Sequence, residues 1–468
     1  MSEREFDVII LGAGPAGEVA AGRLGEADLE VAIVESHLIG GECSFYACMP
    51  SKSMLRPGEL LAEVRRIPGV AETVSGGLDV QAVLDRRDEI IHGLDDSHME
   101  PWLSDRGVAI VRGAGRLDGE RRVSNGDETL TARRAVIVAT GSRPRIPPIP
   151  GLQEAPYWTN REATTAKEPP ERLLILGGGV VGVEMAQAYS SFGSQVSLVA
   201  ASDRLIPREE PFASDDVQGA LEEHGVDVHL SVKATAVRSQ DGQVELELDT
   251  GGPLRGDQLL VAIGRLPNTD DLGLETVGLE PGAPIEVDDQ MRANDWLYAI
   301  GDVNGRALLT HMGKYQARVA ADVILGEDNT CLVTDRERAP RVIFTDPHVA
   351  AVGYTLAAAR AAGLNVIPAD VPTQGSASAS FYGRDTAPGT TRLVVDQDRR
   401  VIVGATFTGP EVAEFLQAAT IAVVGEVPLE RLFHAVPAFP TRSELWLYLL
   451  EKLGVAGPCY PMLAQQPA

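Results

Sequence analysis

The sequence predicts an α/β protein in which one device, strand then glycine loop then helix then strand, is used twice and is followed by a smaller α+β region. Three observations carry that prediction. The apolar run over residues 6–11 leads straight into Gly12, Gly14 and Gly17, and the run over residues 172–176 leads into Gly177, Gly179 and Gly182. Further on, residues 349–354 and 401–407 read as strands, and 411–424 reads as a helix able to pack on them.

Taken in order, the first strand is continuous rather than alternating in hydrophobicity, as a parallel strand buried on both faces must be. Gly12 permits a tight turn, Gly14 lets the backbone approach a pyrophosphate, and Gly17 lets the next helix pack closely with its first amides facing the anion. A second strand over residues 31–34 ends at Glu35, about twenty residues past the glycines, where an acid can bond a ribose hydroxyl. Strand, glycines, helix, strand and terminal acid together specify a dinucleotide site.

Directly after that unit comes Gly40-Gly41-Glu42-Cys43-Ser44-Phe45-Tyr46-Ala47-Cys48-Met49-Pro50-Ser51-Lys52. Cys43 and Cys48 stand where a helix is expected to start. In a distorted first turn their sulfurs can come close enough to bond, though a regular helix would not align them. A strained, partly accessible disulfide is the labile kind, and a helix N-terminus stabilises the thiolate released on reduction. Lys52 lies one turn past Cys48. The expectation is a redox pair beside a dinucleotide.

Prolines at 144, 147, 148 and 150 mark a linker out of the first domain. The second glycine loop follows, and its second strand, residues 195–199, reaches Ala200 and Ala201 instead of a carboxylate. The usual preference for an unphosphorylated ribose is therefore missing, and Arg204 and Arg208 lie nearby to meet a ribose phosphate. Leu266-Pro267-Asn268 marks a return, and residues 338–342 open the last region. The expected domains are 1–150, 151–268, 269–337 and 338–468.

A chain of 468 residues suits two to four domains. Its net charge of -26 disfavours nucleic acid and anionic membranes as partners and favours solubility. With no charged leader ahead of Phe6 and no long apolar run, a soluble cytoplasmic protein without a membrane span is expected. Four cysteines in this length form no disulfide framework, and no metal-ligand spacing occurs. Arginine carries nearly all the positive charge, since Lys52, Lys167, Lys233, Lys314 and Lys452 are the only lysines.

On these motifs the chain resembles the pyridine nucleotide-disulfide oxidoreductases, the branch that includes lipoamide dehydrogenase, glutathione reductase and mercuric reductase. The likeness runs nearly end to end, to Pro440-Thr441-Arg442-Ser443-Glu444. It implies two Rossmann-like dinucleotide-binding domains and a C-terminal α+β dimerisation domain, with FAD at the first glycine loop and NAD(P)H at the second. Thr140 and Gly141 resemble the turn leaving the FAD domain, and Arg265 stands in the turn leaving the nicotinamide domain. Asp302, ending Tyr298-Ala299-Ile300-Gly301-Asp302, resembles the acid that accepts a hydrogen bond from the flavin's ribityl chain, and His311 just after it is expected by the flavin. Lys52 and Glu184 correspond to a pair beside the flavin ring. The resemblance also implies a homodimer, with the Pro-Thr and glutamate region completing the partner's active site.

One departure stands out. The family usually carries a histidine directly before Pro-Thr, oriented by a glutamate five residues on. Here Phe439 holds that place, while Glu444 keeps the orienting position. A phenyl ring carries no proton, so general acid-base help is absent there. The reading is an FAD enzyme passing electrons from NAD(P)H through a Cys43-Cys48 disulfide to a small acceptor, such as a disulfide or quinone. Three alternatives stand beside it: dihydrolipoamide oxidation with His434 in the missing role, direct flavin-to-quinone transfer, and a non-catalytic nucleotide sensor. Cys459 in the tail resembles only poorly the paired tail cysteines of mercuric and thioredoxin reductases.

Overall fold

The computed structural model describes residues 2–327, 329–382 and 389–457. The chain divides into two compact units. One comprises the chain up to Gly58, Gly77–Leu205 and Leu221–Ala339, and the other comprises Glu59–Gly76, Ile206–Ala220 and the chain from Pro340 onward.

In the first unit the strand Ser2–Leu11 sits inside a seven-stranded sheet, parallel to Val31–Glu35 on one side and to Glu128–Val138 on the other. Val108–Arg112 extends the sheet beyond Val31–Glu35, and Leu297–Ala299 pairs in parallel with the far half of Glu128–Val138. Side chains alternate between faces. Val8 and Ile10 join one buried cluster with Ala20 and Leu24 of the helix Pro15–Gly25, while Ile9 and Leu11 join another with Leu297 and Ala299. Burial on both faces explains why residues 6–11 read as an unbroken apolar run. The first glycine loop is thereby delivered from the middle of a sheet.

The second device repeats this build. Arg172–Leu176 lies in a five-stranded parallel sheet between Gln195–Ala200 and Gln258–Val261, and Val180–Ser191 is the helix after its glycine loop. A three-stranded antiparallel sheet of Ala234–Gln240, Gln243–Leu248 and Leu254–Gly256 packs its apolar residues into the same cluster. The two connecting segments find each other: Ser142–Pro144 pairs antiparallel with Arg265–Pro267.

The second unit is built on a five-stranded antiparallel sheet ordered Arg341–Ile343, His348–Gly353, Val401–Gly409, Thr390–Asp396, Val366–Pro372. The helices Val412–Val424 and Glu444–Lys452 cover it through Phe415 and Trp446, both set against Phe407. Ile206–Ala220 is held in this unit by charge: Arg341 clasps buried Glu209 at 2.6 and 2.9 Å, and Arg392 reaches buried Glu210 at 2.8 Å and Asp370 at 2.7 Å. Among the described residues no helix is long and apolar enough to cross a membrane.

Candidate active site

The two glycine loops share one geometry. A Cβ on Gly17 would lie 1.9 Å from the Gly12 carbonyl oxygen, and one on Gly182 would lie 1.9 Å from that of Gly177. Each loop therefore folds only with glycine at that position. At Gly14 and Gly179, by contrast, nothing lies within 4 Å of a Cβ. Each of these residues is the N-cap of its helix and supplies no side-chain cap, so the first amides are open to an anion.

Glu35 ends its strand as expected and has both oxygens engaged, Oε2 accepting from the Ala13 amide and Oε1 from the His37 amide, each at 2.7 Å. Ala200 ends the corresponding second strand, Arg204 is half-buried and Arg208 is exposed. Thr140 and Gly141 are tied to the returning turn: Thr140 Oγ1 donates to the Asn268 carbonyl at 3.0 Å and the Asn268 amide donates to that of Gly141 at 3.0 Å.

Arg265 lies at the centre of a polar network. Its Nε donates to Ser142 Oγ at 2.7 Å, and its guanidinium also reaches Asn160 and Glu42. Ser142 Oγ in turn donates to Asp302 at 2.6 Å. Burial raises the Asp302 carboxyl, against the lowering effect of that hydrogen bond. Asn160 Nδ2 donates to Glu42 Oε2 and to the Tyr46 carbonyl, both at 2.9 Å. The network thus grips both ends of the Cys43 helix. Ser142, Asn160 and Glu42 were not singled out from the sequence; the partners that build this network lie more than a hundred positions away from each of them.

The cysteines do not share one helical turn. Cys43 lies in the short helix Gly41–Phe45, Tyr46 leaves helical geometry at φ -134° and ψ -1°, and Cys48 opens the next helix, Cys48–Arg66. The break relieves the misalignment that a continuous helix imposes on this spacing. Both thiols are free and half-buried. The Cys43 thiol hydrogen-bonds to the Cys48 sulfur, and this bond is the main reason that Cys48 is lowered to about 6; Thr310 and the Lys52 charge lower it further, against desolvation. The same bond, with burial, pushes Cys43 well above the ordinary thiol range. Thr310 Oγ1 stands 3.3 Å from Cys48 Sγ at the start of the helix Thr310–Ile324.

Lys52, one turn along from Cys48, donates to Glu184 Oε2 at 2.8 Å, and Glu184 is buried in Val180–Ser191. His311 is exposed. A further carboxyl missed from sequence is Glu18, in the helix after the first glycine loop: burial raises it to about 7, with Lys314 opposing and Glu35 adding to the rise. In the second unit Glu444 is buried and Phe439 is 76% exposed. His434 is exposed, edge-on to Phe433. Cys331 is exposed, and Cys459 lies outside the described residues.

Residues 6–321 match the family described as pyridine nucleotide-disulphide oxidoreductase, and residues 339–449 match its dimerisation domain. The chain belongs to that family. It is 30% identical over 449 residues to a dihydrolipoyl dehydrogenase of Chlamydia muridarum, covering 94% of this chain and 95% of the relative. It is 29% identical to a mercuric reductase of Staphylococcus aureus, covering 94% and 81%. Among solved structures, LpdA of Mycobacterium tuberculosis superposes with a TM-score of 0.84 at 25% identity, covering 97% of this chain and 100% of that one. The chain is a flavin-dependent pyridine nucleotide oxidoreductase whose cofactors are FAD and NAD(P)H. Its two uncapped glycine-loop helices, with room at Gly14 and Gly179, fit two such dinucleotides.

Proposed function

We propose that this enzyme moves electrons from NAD(P)H to the Cys43-Cys48 pair and on to a small acceptor that needs no acid-base group at position 439. Gly12, Gly14, Gly17 and Glu35 hold FAD in this reading, with Asp302 and Thr140 at its far end, and Gly177, Gly179 and Gly182 hold the nicotinamide nucleotide. Bound there, FAD supplies two-electron exchange between NAD(P)H and a disulfide. The protein's part is to prepare the sulfurs. Reduction breaks the S–S bond, adds two electrons, and above about pH 6 adds one proton, which stays on Cys43 while Cys48 remains an anion. The Lys52 charge favours that anion, and Glu184 fixes the Lys52 side chain.

The observation that carries this reading is the pair of free, half-buried thiols at 43 and 48, with the Cys48 sulfur 3.3 Å from Thr310 Oγ1 and one helical turn from the Lys52–Glu184 pair. Counting thiols tests it. One equivalent of NADH or NADPH added anaerobically to the oxidised enzyme should release two new thiols, located at Cys43 and Cys48. Release of none while a quinone is still reduced would move the chemistry off the sulfurs and onto direct transfer to quinone.

Several relatives are named dihydrolipoyl dehydrogenases, so dihydrolipoamide is the second substrate to try. Turnover of it that is lost in His434→Ala would assign the missing base to His434. The functional form in this proposal is a homodimer formed through residues 339–449, which match a dimerisation domain.

A further inference from the structure

We propose that Thr310 is a positioning residue for the Cys48 sulfur, its hydroxyl donating to the thiolate from 3.3 Å at the first turn of a fifteen-residue helix. The inference rests on the reading of Cys43 and Cys48 as the redox pair. It says how a site without an imidazole at position 439 still holds a thiolate.

The groups facing the sulfurs come from three elements. From Gly41–Phe45 comes the Cys43 thiol, which lowers Cys48; from Cys48–Arg66 the Lys52 ammonium acts through space; from Thr310–Ile324 come the Thr310 hydroxyl, which lowers both thiols, and the Lys314 charge, which acts on Cys43. All of them belong to one unit of one chain. Helix N-termini favour anions in their first turn, and a hydrogen bond to a charged acceptor is stronger than one between neutral groups. Thr310 has the right chemistry for this place because a hydroxyl can rotate to donate to either sulfur as the proton moves between them. Valine has the same shape and no donor.

The consequence is a division of labour. Where a histidine stands before Pro-Thr, as the family usually has it, an imidazole can move the proton. Here the steadying is done by Thr310, the Cys43 thiol and Lys52, and proton delivery to substrate is left without a side chain at 439. The chain therefore loses acid-base assistance without losing its thiolate. An acceptor that takes electrons from a sulfur anion and collects its protons from water suits such a site.

A thiol held below its ordinary value stays ionised as pH falls until about 6 is reached, so alkylation of Cys48 should stay fast from neutral pH down to that point and then drop. Removing one charge-assisted donor should raise that midpoint by about one pH unit.

The test uses holoenzyme reduced with dithiothreitol, so it does not depend on turnover. Iodoacetamide alkylation is followed from pH 4.5 to 9 under nitrogen, and the label is located on Cys43 or Cys48 by peptide fragmentation. Thr310→Val should move the Cys48 midpoint upward and slow its alkylation about tenfold at pH 5, while Thr310→Ser, which keeps the hydroxyl, should retain the wild-type profile. A Thr310→Val profile superimposed on wild type would overturn the proposal. So would a Thr310→Ser shift as large as the valine shift, since helix packing and not the donor would then set the thiolate. Failure of NAD(P)H to release the two thiols would instead sink the redox-pair reading and leave this result standing.

Discussion

In the proposed reading, one side chain at position 439 decides whether a dithiol substrate receives acid-base help. Phe439 is exposed five positions before a buried Glu444, one of whose carboxyl oxygens accepts no hydrogen bond among the described residues. A general acid-base group typically contributes about a hundredfold to ten-thousandfold, so dihydrolipoamide turnover by the unmodified enzyme should be weak while reduction of the enzyme by NAD(P)H stays fast. Replacing Phe439 with histidine, with Glu444 retained, should raise dithiol turnover by at least tenfold and introduce a pH dependence near the imidazole range; steady-state rates from pH 5.5 to 8.5 measure both. An equal rise on placing glutamine at 439 would show that pocket polarity, not proton transfer, was limiting. At this scale the sequence drew attention to Cys43, Cys48 and Lys52 by their spacing, and to Glu184 by its resemblance to the family, and the structure pairs Lys52 with Glu184. It did not disclose Thr310, Ser142 or Asn160, because hydroxyl and amide side chains are common and become significant only when folding brings in a distant partner: Cys48 for Thr310, Asp302 for Ser142, Glu42 for Asn160.

At the scale of elements, the two glycine loops are near copies with different assignments, which makes them separable. Ala at position 17 or 182 would press a methyl group into a backbone carbonyl at 1.9 Å, a clash that only movement of the helix can relieve. Gly17→Ala should therefore yield protein depleted of flavin, read as the absorbance ratio of 450 to 280 nm after purification. Gly182→Ala should retain flavin and lose rapid reduction by NAD(P)H while dithionite still bleaches it. The opposite pattern would exchange the two cofactor assignments. These loops were legible because strand period, glycine spacing and the following apolar helix all had to agree. The break at Tyr46 was not legible, since nothing in Ser44-Phe45-Tyr46-Ala47 is a helix breaker by type; it is imposed by tertiary contacts, including Asn160 bonding the Tyr46 carbonyl. The same holds for the antiparallel pairing of Ser142–Pro144 with Arg265–Pro267, which the sequence presents as two unrelated linkers.

At the scale of the whole molecule, charge and exposed apolar surface pull association in opposite directions. The second unit exposes Ile421, Val436 and Phe439, with Val436 83% exposed, and its residues 339–449 match a dimerisation domain. Stable homodimer interfaces commonly bury about 2,000 Å² or more and are rich in apolar contacts, so burial of such residues supplies the attraction. Each copy also carries a net charge of -26, and two such copies repel. That repulsion is screened over about 30 Å at 0.01 M salt but over only about 8 Å at 0.15 M, whereas apolar burial does not weaken over that range. The homodimer should therefore tighten as salt rises from 10 to 150 mM, the reverse of an interface held by opposite charges. Light scattering coupled to size exclusion across that range, at dilutions reaching the nanomolar, measures the dissociation directly. Ile421→Glu should weaken association at every salt concentration by adding both a charge and a polar group where apolar contact is expected. A dimer that loosens with added salt, or one indifferent to Ile421→Glu, would mean that another surface joins the copies.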